Sequence, residues 1–349
     1  MRKTYDCVVV GAGCWGAWTA LRLRERGRRV ALVEAWGAGH ARSSSGGASR
    51  IIRMGYGADE IYTRWAMRSL ADWQRLFEQA GQPELFQRTG VLWTARAGHA
   101  HIAGTRAVFD RAGVSYQALA AEEVRQRYPQ IRFAGEVTGI VEPESGALLA
   151  SRAVRAVAAE AAQLGVEAVT GRVLPPERGE RLEWVETENG DKVAGGAFVF
   201  ACGPWLPKLF PRLLGDGIEV TRQEVFYFAA PAGDLRFAQP AMPVWIDFSD
   251  ERGGYALPPL AGKGFKLALD RHGPRFDPDA GGREASAGEL AAARAFLRER
   301  FPEMAEAPLL EAEVCQYGNT ANGDFVIGRH PEMENVWIAG GGSGHGFKH

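Results

Sequence analysis

Cysteine is scarce in this chain: four occur in 349 residues, Cys7, Cys14, Cys202 and Cys315. Apart from Cys7 and Cys14 they lie far apart, which excludes a dense disulfide framework. Neither Cys-x-x-Cys nor His-Glu-x-x-His occurs, so no metal site is expected, and the sparse thiols fit a reducing cytoplasm. Charge of one sign is also lacking. The 41 basic and 42 acidic residues leave a net charge of -1. The arginines are scattered, which argues against a nucleic-acid or membrane surface. No apolar run approaches the ~20 residues needed to span a bilayer. Basic residues before the valines of MRKTYDCVVV hint at a signal peptide, but Asp6 interrupts them and no long apolar region follows.

What is present points to interleaved α/β architecture. The length suffices for two domains with a buried core. YDCVVV, CWGAWTALRLRERG and RRVALVE read as strand, helix and strand, a βαβ unit. Residues 58–80 have helical spacing, with Ala66, Leu70, Trp73 and Phe77 on one face. ELFQRTGVLWTA reads as a strand. SRAVRAVAAEAAQLG reads as a helix capped by Ser151 and ended by Gly165. VAGGAFVFACGPW and NVWIAGGGSG are further strands entering glycine turns, and residues 286–300 form another helix. Between 220 and 270, short β-rich segments broken by Pro and Gly predict an antiparallel sheet. Dinucleotide-like elements at the start, middle and end imply one domain visited three times, with a second domain inserted between visits.

Gly11, Gly13 and Gly16 form GAGCWG between the first strand and its helix. Such glycines allow a tight turn and let the backbone approach a pyrophosphate at the positive helix end. Glu34 ends the second strand about 20 residues on, where a carboxylate accepts hydrogen bonds from ribose hydroxyls. A glycine turn that serves only close packing is the bland alternative. The motif does not choose between NAD and FAD.

Five later blocks, SSSGGASRIIRMGYG, FVFACGPW, GFKLALDRHGPRFDPD, VCQYGNT and GSGHGFK, resemble the family of monomeric sarcosine oxidase, N-methyltryptophan oxidase and pipecolate oxidase. Their order and spacing are kept from residue 5 to residue 348. The resemblance implies an α/β fold: an FAD-binding Rossmann-type domain of the glutathione-reductase kind with an inserted α+β substrate domain on a mixed or antiparallel sheet. We assign residues 1–85, 148–219 and 315–349 to the first and 86–147 and 220–314 to the second. The implied reaction is oxidation of a secondary amine by hydride transfer to flavin, imine hydrolysis and reduction of O2 to hydrogen peroxide. The expected partners are a small carboxylated amine and O2, and the expected state is a monomer.

The resemblance also assigns roles. Cys315 matches the cysteine that carries FAD as a thioether; a thiolate beside a cation is a suitable nucleophile, and a buried packing cysteine is the alternative. Arg50 matches a residue beside the flavin. Arg53 and Lys348 match the clamp on the substrate carboxylate, a task suited to the two-pronged guanidinium. Arg50 and Arg53 share a face if the segment is helical and alternate if it is extended. Lys266 matches the lysine facing flavin where oxygen reacts, and its position inside the apolar run GFKLAL sets it apart from an ordinary solvated lysine. Tyr255 and Tyr56 match pocket aromatics, and His345 is expected near the flavin ring. Flavin contacts are further expected at Ser44, Val173, Gly203, Trp205, Gly342, Gly344 and Gly346, with Lys348 near both ligands.

One position departs from the family. Where its oxidases carry a histidine four residues beyond the oxygen-activating lysine, this chain has Asp270, with His272 two places further on. A carboxylate there favours a protonated amine or binds an extra amine or hydroxyl group. The expected substrate is therefore a bulkier or hydroxylated N-alkyl amino acid, in the direction of sugar–amino acid conjugates, rather than sarcosine. The chain ends at His349, where the family continues into a helix aimed at the flavin pyrimidine. Its absence predicts weakened flavin holding. Two other readings stay open: a dehydrogenase of the same fold with a non-oxygen acceptor, and a truncated flavoprotein that binds without turnover.

Overall fold

The computed structural model describes residues 4–349. Its first βαβ unit comprises strand Thr4–Val10, helix Cys14–Glu25 and strand Val30–Glu34. Val8, Val9 and Val10 are all buried, as expected of a parallel strand covered on both faces. This strand sits inside a sheet ordered Val326–Arg329, Val336–Gly340, Lys192–Phe200, Thr4–Val10, Val30–Glu34, Glu167–Thr170. The four inner pairings are parallel, and Val326–Arg329 closes one edge antiparallel. The chain visits the sheet three times, early, midway and at its end.

A second sheet has eight strands, ordered Leu309–Asn319, Glu219–Phe228, Phe265–Ala268, Gly254–Leu257, Val244–Phe248, Val91–Arg96, Val137–Glu142, Gln117–Leu119. Only Val244–Phe248 against Val91–Arg96 is parallel, so the sheet is mixed. The domain boundary expected at 314/315 falls inside Leu309–Asn319. That strand stays paired with Glu219–Phe228 out to Asn319, so Cys315 belongs to the eight-stranded sheet. A small third sheet joins Arg50–Ile52, Gly146–Leu148 and Phe86–Gln87.

Two local expectations change in the structure, and one alternative left open is decided. The single strand expected over ELFQRTGVLWTA is split: Phe86–Gln87 joins the small sheet and Val91–Arg96 the large one, because Gly90, at φ 72°, turns the chain between them. Ser151 does not cap its helix. The helix begins at Ala150, and the Ser151 hydroxyl donates to Gly39 O at 2.7 Å, tying the helix to the loop after Val30–Glu34. The segment carrying Arg50 is extended rather than helical, which sends Arg50 and Arg53 to opposite faces.

Helix Glu60–Gln79 buries Ala66, Leu70, Trp73 and Phe77, the stripe its spacing predicts. Trp73 stacks on Phe347 with ring centroids 5.8 Å apart, and its indole N–H donates to Lys348 O. The helix thereby backs the closing glycine turn and fixes the height of Lys348. Among the described residues, no helix is long and apolar enough to cross a membrane.

Candidate active site

The three glycines of the first turn do three different things. Gly11 has φ 97°, and a Cβ on it would lie 2.6 Å from Ala201 O in the neighbouring strand's exit. A Cβ on Gly16 would lie 1.7 Å from Gly11 O, so only glycine lets the helix start this close to the strand. Around Gly13 a Cβ would meet nothing nearer than Ser45 Oγ at 3.5 Å, leaving open space before a helix end that Gly13 caps with no side chain. Gly13→Ala is therefore expected to leave the flavin-free fold intact while weakening dinucleotide binding about tenfold or more, since its methyl occupies the space a pyrophosphate needs. Gly16→Ala should instead destabilise the protein itself. Thermal melts with and without added FAD separate the two.

This turn opens on a cavity of about 290 Å³. Its wall carries Gly11, Gly13, Glu34, Ser44, Arg50, Val173, Gly203, Trp205, Gly342, Gly344 and Gly346 of the positions expected to touch a flavin dinucleotide, whereas Gly16, Cys315 and Lys348 do not line it. Glu34 is oriented by Ala12 N, which donates to its carboxylate at 2.6 Å. The closing turn is pinned to the first helix: Trp15 Nε1 donates to Gly346 O at 2.7 Å and Cys14 Sγ to Phe347 O at 2.9 Å. First and last glycine turns thus form one cradle. Burial pushes the thiols of Cys14 and Cys202 up, which makes them packing groups.

Arg50 reaches from the small sheet to the large one. Its guanidinium donates to Ser49 O at 2.8 Å, Ser44 O at 2.7 Å and Cys315 Sγ at 3.1 Å. Cys315 stands just behind the cavity wall formed by Ser44, Arg50 and Gln316. A fixed cation against the sulfur is the environment in which a thiol acts as a nucleophile. Lys266 is 2 % exposed and donates to Ser49 O at 3.0 Å. Burial, and then the charge of Arg50, lower its pKa to about 7.

On the other face of the segment, Arg53 lies over two rings, 4.4 Å from the centroid of Tyr56 and 4.7 Å from that of Trp93. It also donates to Gly55 O. Lys348 Nζ donates to the Tyr56 hydroxyl at 2.9 Å and to His345 O at 3.0 Å. Burial, and then the neighbouring Arg53, hold the Lys348 pKa well below the usual lysine range. A half-buried guanidinium and a buried lysine amine flanking one tyrosine form a ready receptor for an anion.

Glu142, not anticipated from the sequence, organises this corner. It is 1 % exposed and accepts from Met54 N, Gly55 N, Trp93 Nε1 and Ser145 Oγ at 2.5–3.0 Å. It thereby fixes both the turn after Arg53 and the indole beneath it. The available signal was a carboxylate ending the apolar strand VTGIVE. Tyr317, inside VCQYGNT, was also missed: it lines the cavity and packs against Gly344, and a Cβ there would lie 2.7 Å from its ring.

Tyr255 is near Arg50, Cys315 and Asp270, and burial raises its pKa. Asp270 is exposed, just past strand Phe265–Ala268, and its charge is felt by Lys348, Tyr255 and Tyr317. His345 does not line the cavity. Its ring stacks on Phe325 at 4.6 Å and its Nε2 lies 2.9 Å from Gly323 O, while burial lowers its pKa to about 4. The backbone of His345, through its bond to Lys348, serves the site; the imidazole packs in an aromatic cluster.

Residues 6–349 match the family model described as "FAD dependent oxidoreductase". The chain is 32% identical over 357 residues to a monomeric sarcosine oxidase of Bacillus sp. (strain B-0618), covering 100% of this chain and 90% of that one. It is 30% identical over 353 residues to the peroxisomal sarcosine oxidase of Homo sapiens, covering 99% and 89%. The fold matches the crystal structure of L-proline dehydrogenase from P. horikoshii with TM-score 0.86 at 20% identity, covering 100% and 90%. The glycine cradle, the oriented Glu34 and the full-length match agree, and the chain belongs to the FAD dependent oxidoreductase family.

Proposed function

We propose that this protein oxidises a secondary amine bearing a carboxylate, using FAD and O2. The observation that carries the proposal is the pairing of Arg53 with Lys348 across Tyr56, on the far side of strand Arg50–Ile52 from Arg50 and Cys315. FAD bound in the glycine cradle would supply a hydride acceptor for the carbon beside the amine nitrogen and the two electrons for reduction of O2 to hydrogen peroxide. Arg53 and Lys348 hold the substrate carboxylate, and Tyr56 keeps both cations at a fixed height. Trp93 and the Tyr56 ring exclude water beneath Arg53, which strengthens the charge pairing. The amine docks neutral, so no protein general base is required. The imine product leaves and hydrolyses in water. Lys266 supplies positive charge where oxygen is reduced.

Cys315 is proposed to hold the flavin covalently, through a thioether in which its sulfur replaces one hydrogen of a flavin methyl group while O2 takes up the two hydrogens released as hydrogen peroxide; Arg50, 3.1 Å from the sulfur, would orient it. Acid precipitation of the purified protein tests this: flavin colour should stay with the redissolved pellet, and Cys315→Ser should release it to the supernatant. Colour in the supernatant of the unaltered protein would remove the covalent bond from the proposal. The protein is further proposed to act as a monomer in a reducing compartment, in keeping with its four free thiols.

Asp270 directs the choice of amine. As an exposed carboxylate whose charge reaches Lys348, it suits a substrate carrying a hydroxyl or second amine. Across a panel of amines, kcat/KM should favour hydroxylated N-alkyl amino acids over sarcosine, and Asp270→Asn should narrow that preference. Sarcosine as the best substrate by a wide margin would overturn it.

A further inference from the structure

Trp36, Arg172 and Trp205 stand just beyond the carboxyl ends of three strands of the first sheet, Val30–Glu34, Glu167–Thr170 and Lys192–Phe200. All three line the cofactor cavity, together with Val173, Leu174 and Lys208. They gather beside Glu34: Trp36 N donates to its carboxylate at 3.1 Å, and the Trp36 and Trp205 ring centroids are 5.2 Å apart. The guanidinium of Arg172 lies 5.9 Å from the Trp36 ring. A ribose held at Glu34 therefore carries its base toward two indoles. Such a bay suits a planar, uncharged heteroaromatic base, for which stacking and apolar contact are the main attractions. The support of the bay comes from the other sheet. In the loop after strand Phe265–Ala268, Asp279 accepts from Trp205 Nε1 at 2.8 Å and from Lys208 Nζ at 2.6 Å, and Arg172 lies 2.9 Å from the same carboxylate. Asp277 accepts from Lys208 Nζ at 2.8 Å and from the backbone N–H groups of Asp279 and Ala280, which stiffens the loop. Neither aspartate lines the cavity.

We propose that Asp279 is a positioning residue for the cofactor: a strap from the eight-stranded sheet that holds the Trp205 indole in place for the adenine half of FAD. The proposal rests on the FAD reading above. Lys208 and Arg172 hold the carboxylate, and the carboxylate holds the indole N–H. Partly exposed ion pairs of this kind add little to fold stability. Their geometry serves another end, because one carboxylate is bonded to three side chains that all line the cavity. A fixed indole offers its face to the base without first losing rotamer freedom, which lowers the cost of binding. Retention of the cofactor thus depends on a loop that the glycine turns do not contain.

The test uses the full chain, flavin-free and carrying Cys315→Ser so that binding is reversible, with FAD affinity read from the change in flavin fluorescence. Asp279→Ala should raise the Kd for FAD about tenfold, as expected when one charge-assisted hydrogen bond that orients a contact is lost. The melting temperature of the flavin-free protein should move by no more than about 3 °C. Asp279→Asn keeps an oxygen for the indole N–H, and its Kd should stay within about threefold of the parent's. Trp205→Phe keeps a ring but loses the N–H. Adding Asp279→Ala to it should raise Kd less than about twofold further, because both changes remove the same bond. An unchanged Kd in Asp279→Ala, a loss in Asp279→Asn as large as in Asp279→Ala, or full additivity in the double variant would overturn the strap. So would a larger drop in the flavin-free melting temperature, which would make Asp279 a residue of the fold. Failure of the parent to bind FAD at all would overturn the cofactor reading itself, a result seen before any change at Asp279.

Discussion

Replacing Lys266 with methionine is expected to slow reoxidation of the reduced enzyme by O2 on the order of 100- to 1,000-fold, the usual cost of removing one preorganised charge from a site where charge develops. Reduction by amine should change little. The physical reason lies in the lysine's setting: it is buried and donates to Ser49 O at 3.0 Å, and among the described residues no carboxylate lies within ion-pairing distance, Glu311 and Glu313 pairing with Lys263 instead. Its charge is therefore directed at whatever negative charge forms beside it. Methionine keeps the length and fills the space, so the fold should survive. A dehydrogenase using another acceptor would lose little in this variant, and that outcome would favour the alternative activity.

The same lysine predicts a pH dependence with a defined sign. Its pKa is lowered from the usual lysine range to about 7, chiefly by burial. The group is therefore cationic below that value and neutral above it. The oxygen rate should accordingly be highest at low pH and fall as pH rises through about 7, or through a somewhat higher value when anionic reduced flavin lies opposite and favours the cation. Lys266→Met should lack this limb while keeping any limb that belongs to amine reduction. A profile that persists unchanged in the variant would assign the limb to another group.

The second large effect is expected at Arg53. Arg53→Ala should lower kcat/KM by about 100- to 1,000-fold, corresponding to ~3–4 kcal/mol for one partner of a buried charge pair. Arg53→Lys should recover only part of it, because an ammonium cannot reproduce the planar stack between Tyr56 and Trp93 or the two-pronged grip on a carboxylate. The decisive comparison uses an amine without a carboxylate. Against that substrate the variant and the unaltered enzyme should be nearly equal, since the interaction being removed has no counterpart. A loss of similar size with both substrates would mean that Arg53 supports the fold, through Gly55 and the two rings, rather than the carboxylate.

The sequence by itself determined a great deal. A strand, a glycine turn and a helix must adjoin when Gly16 allows the helix to start against Gly11, and this is local chemistry legible in six residues. The helix over 58–80 was equally legible, because a stripe at helical spacing has one way to bury itself. The identity of Arg50, Arg53, Lys266, Cys315 and Lys348 as candidates came from motif blocks, each readable in its own stretch of chain. What no stretch contained was their arrangement. Arg50 meets Cys315 across 265 residues. Lys348 meets Tyr56 across 292. Only the pairing of sheets and the pinning of the last turn to the first helix bring them together. Whether Arg50 and Arg53 share a face depended on a strand formed with Gly146–Leu148, and the separation of His345's ring from the cavity depended on Phe325 and Gly323. Glu142 was hidden for the same reason: a carboxylate at the end of an apolar strand has meaning only once four donors from three other segments converge on it. Local propensity and motif chemistry act within a few residues, whereas a charge inside a protein is defined by neighbours that only long-range packing supplies.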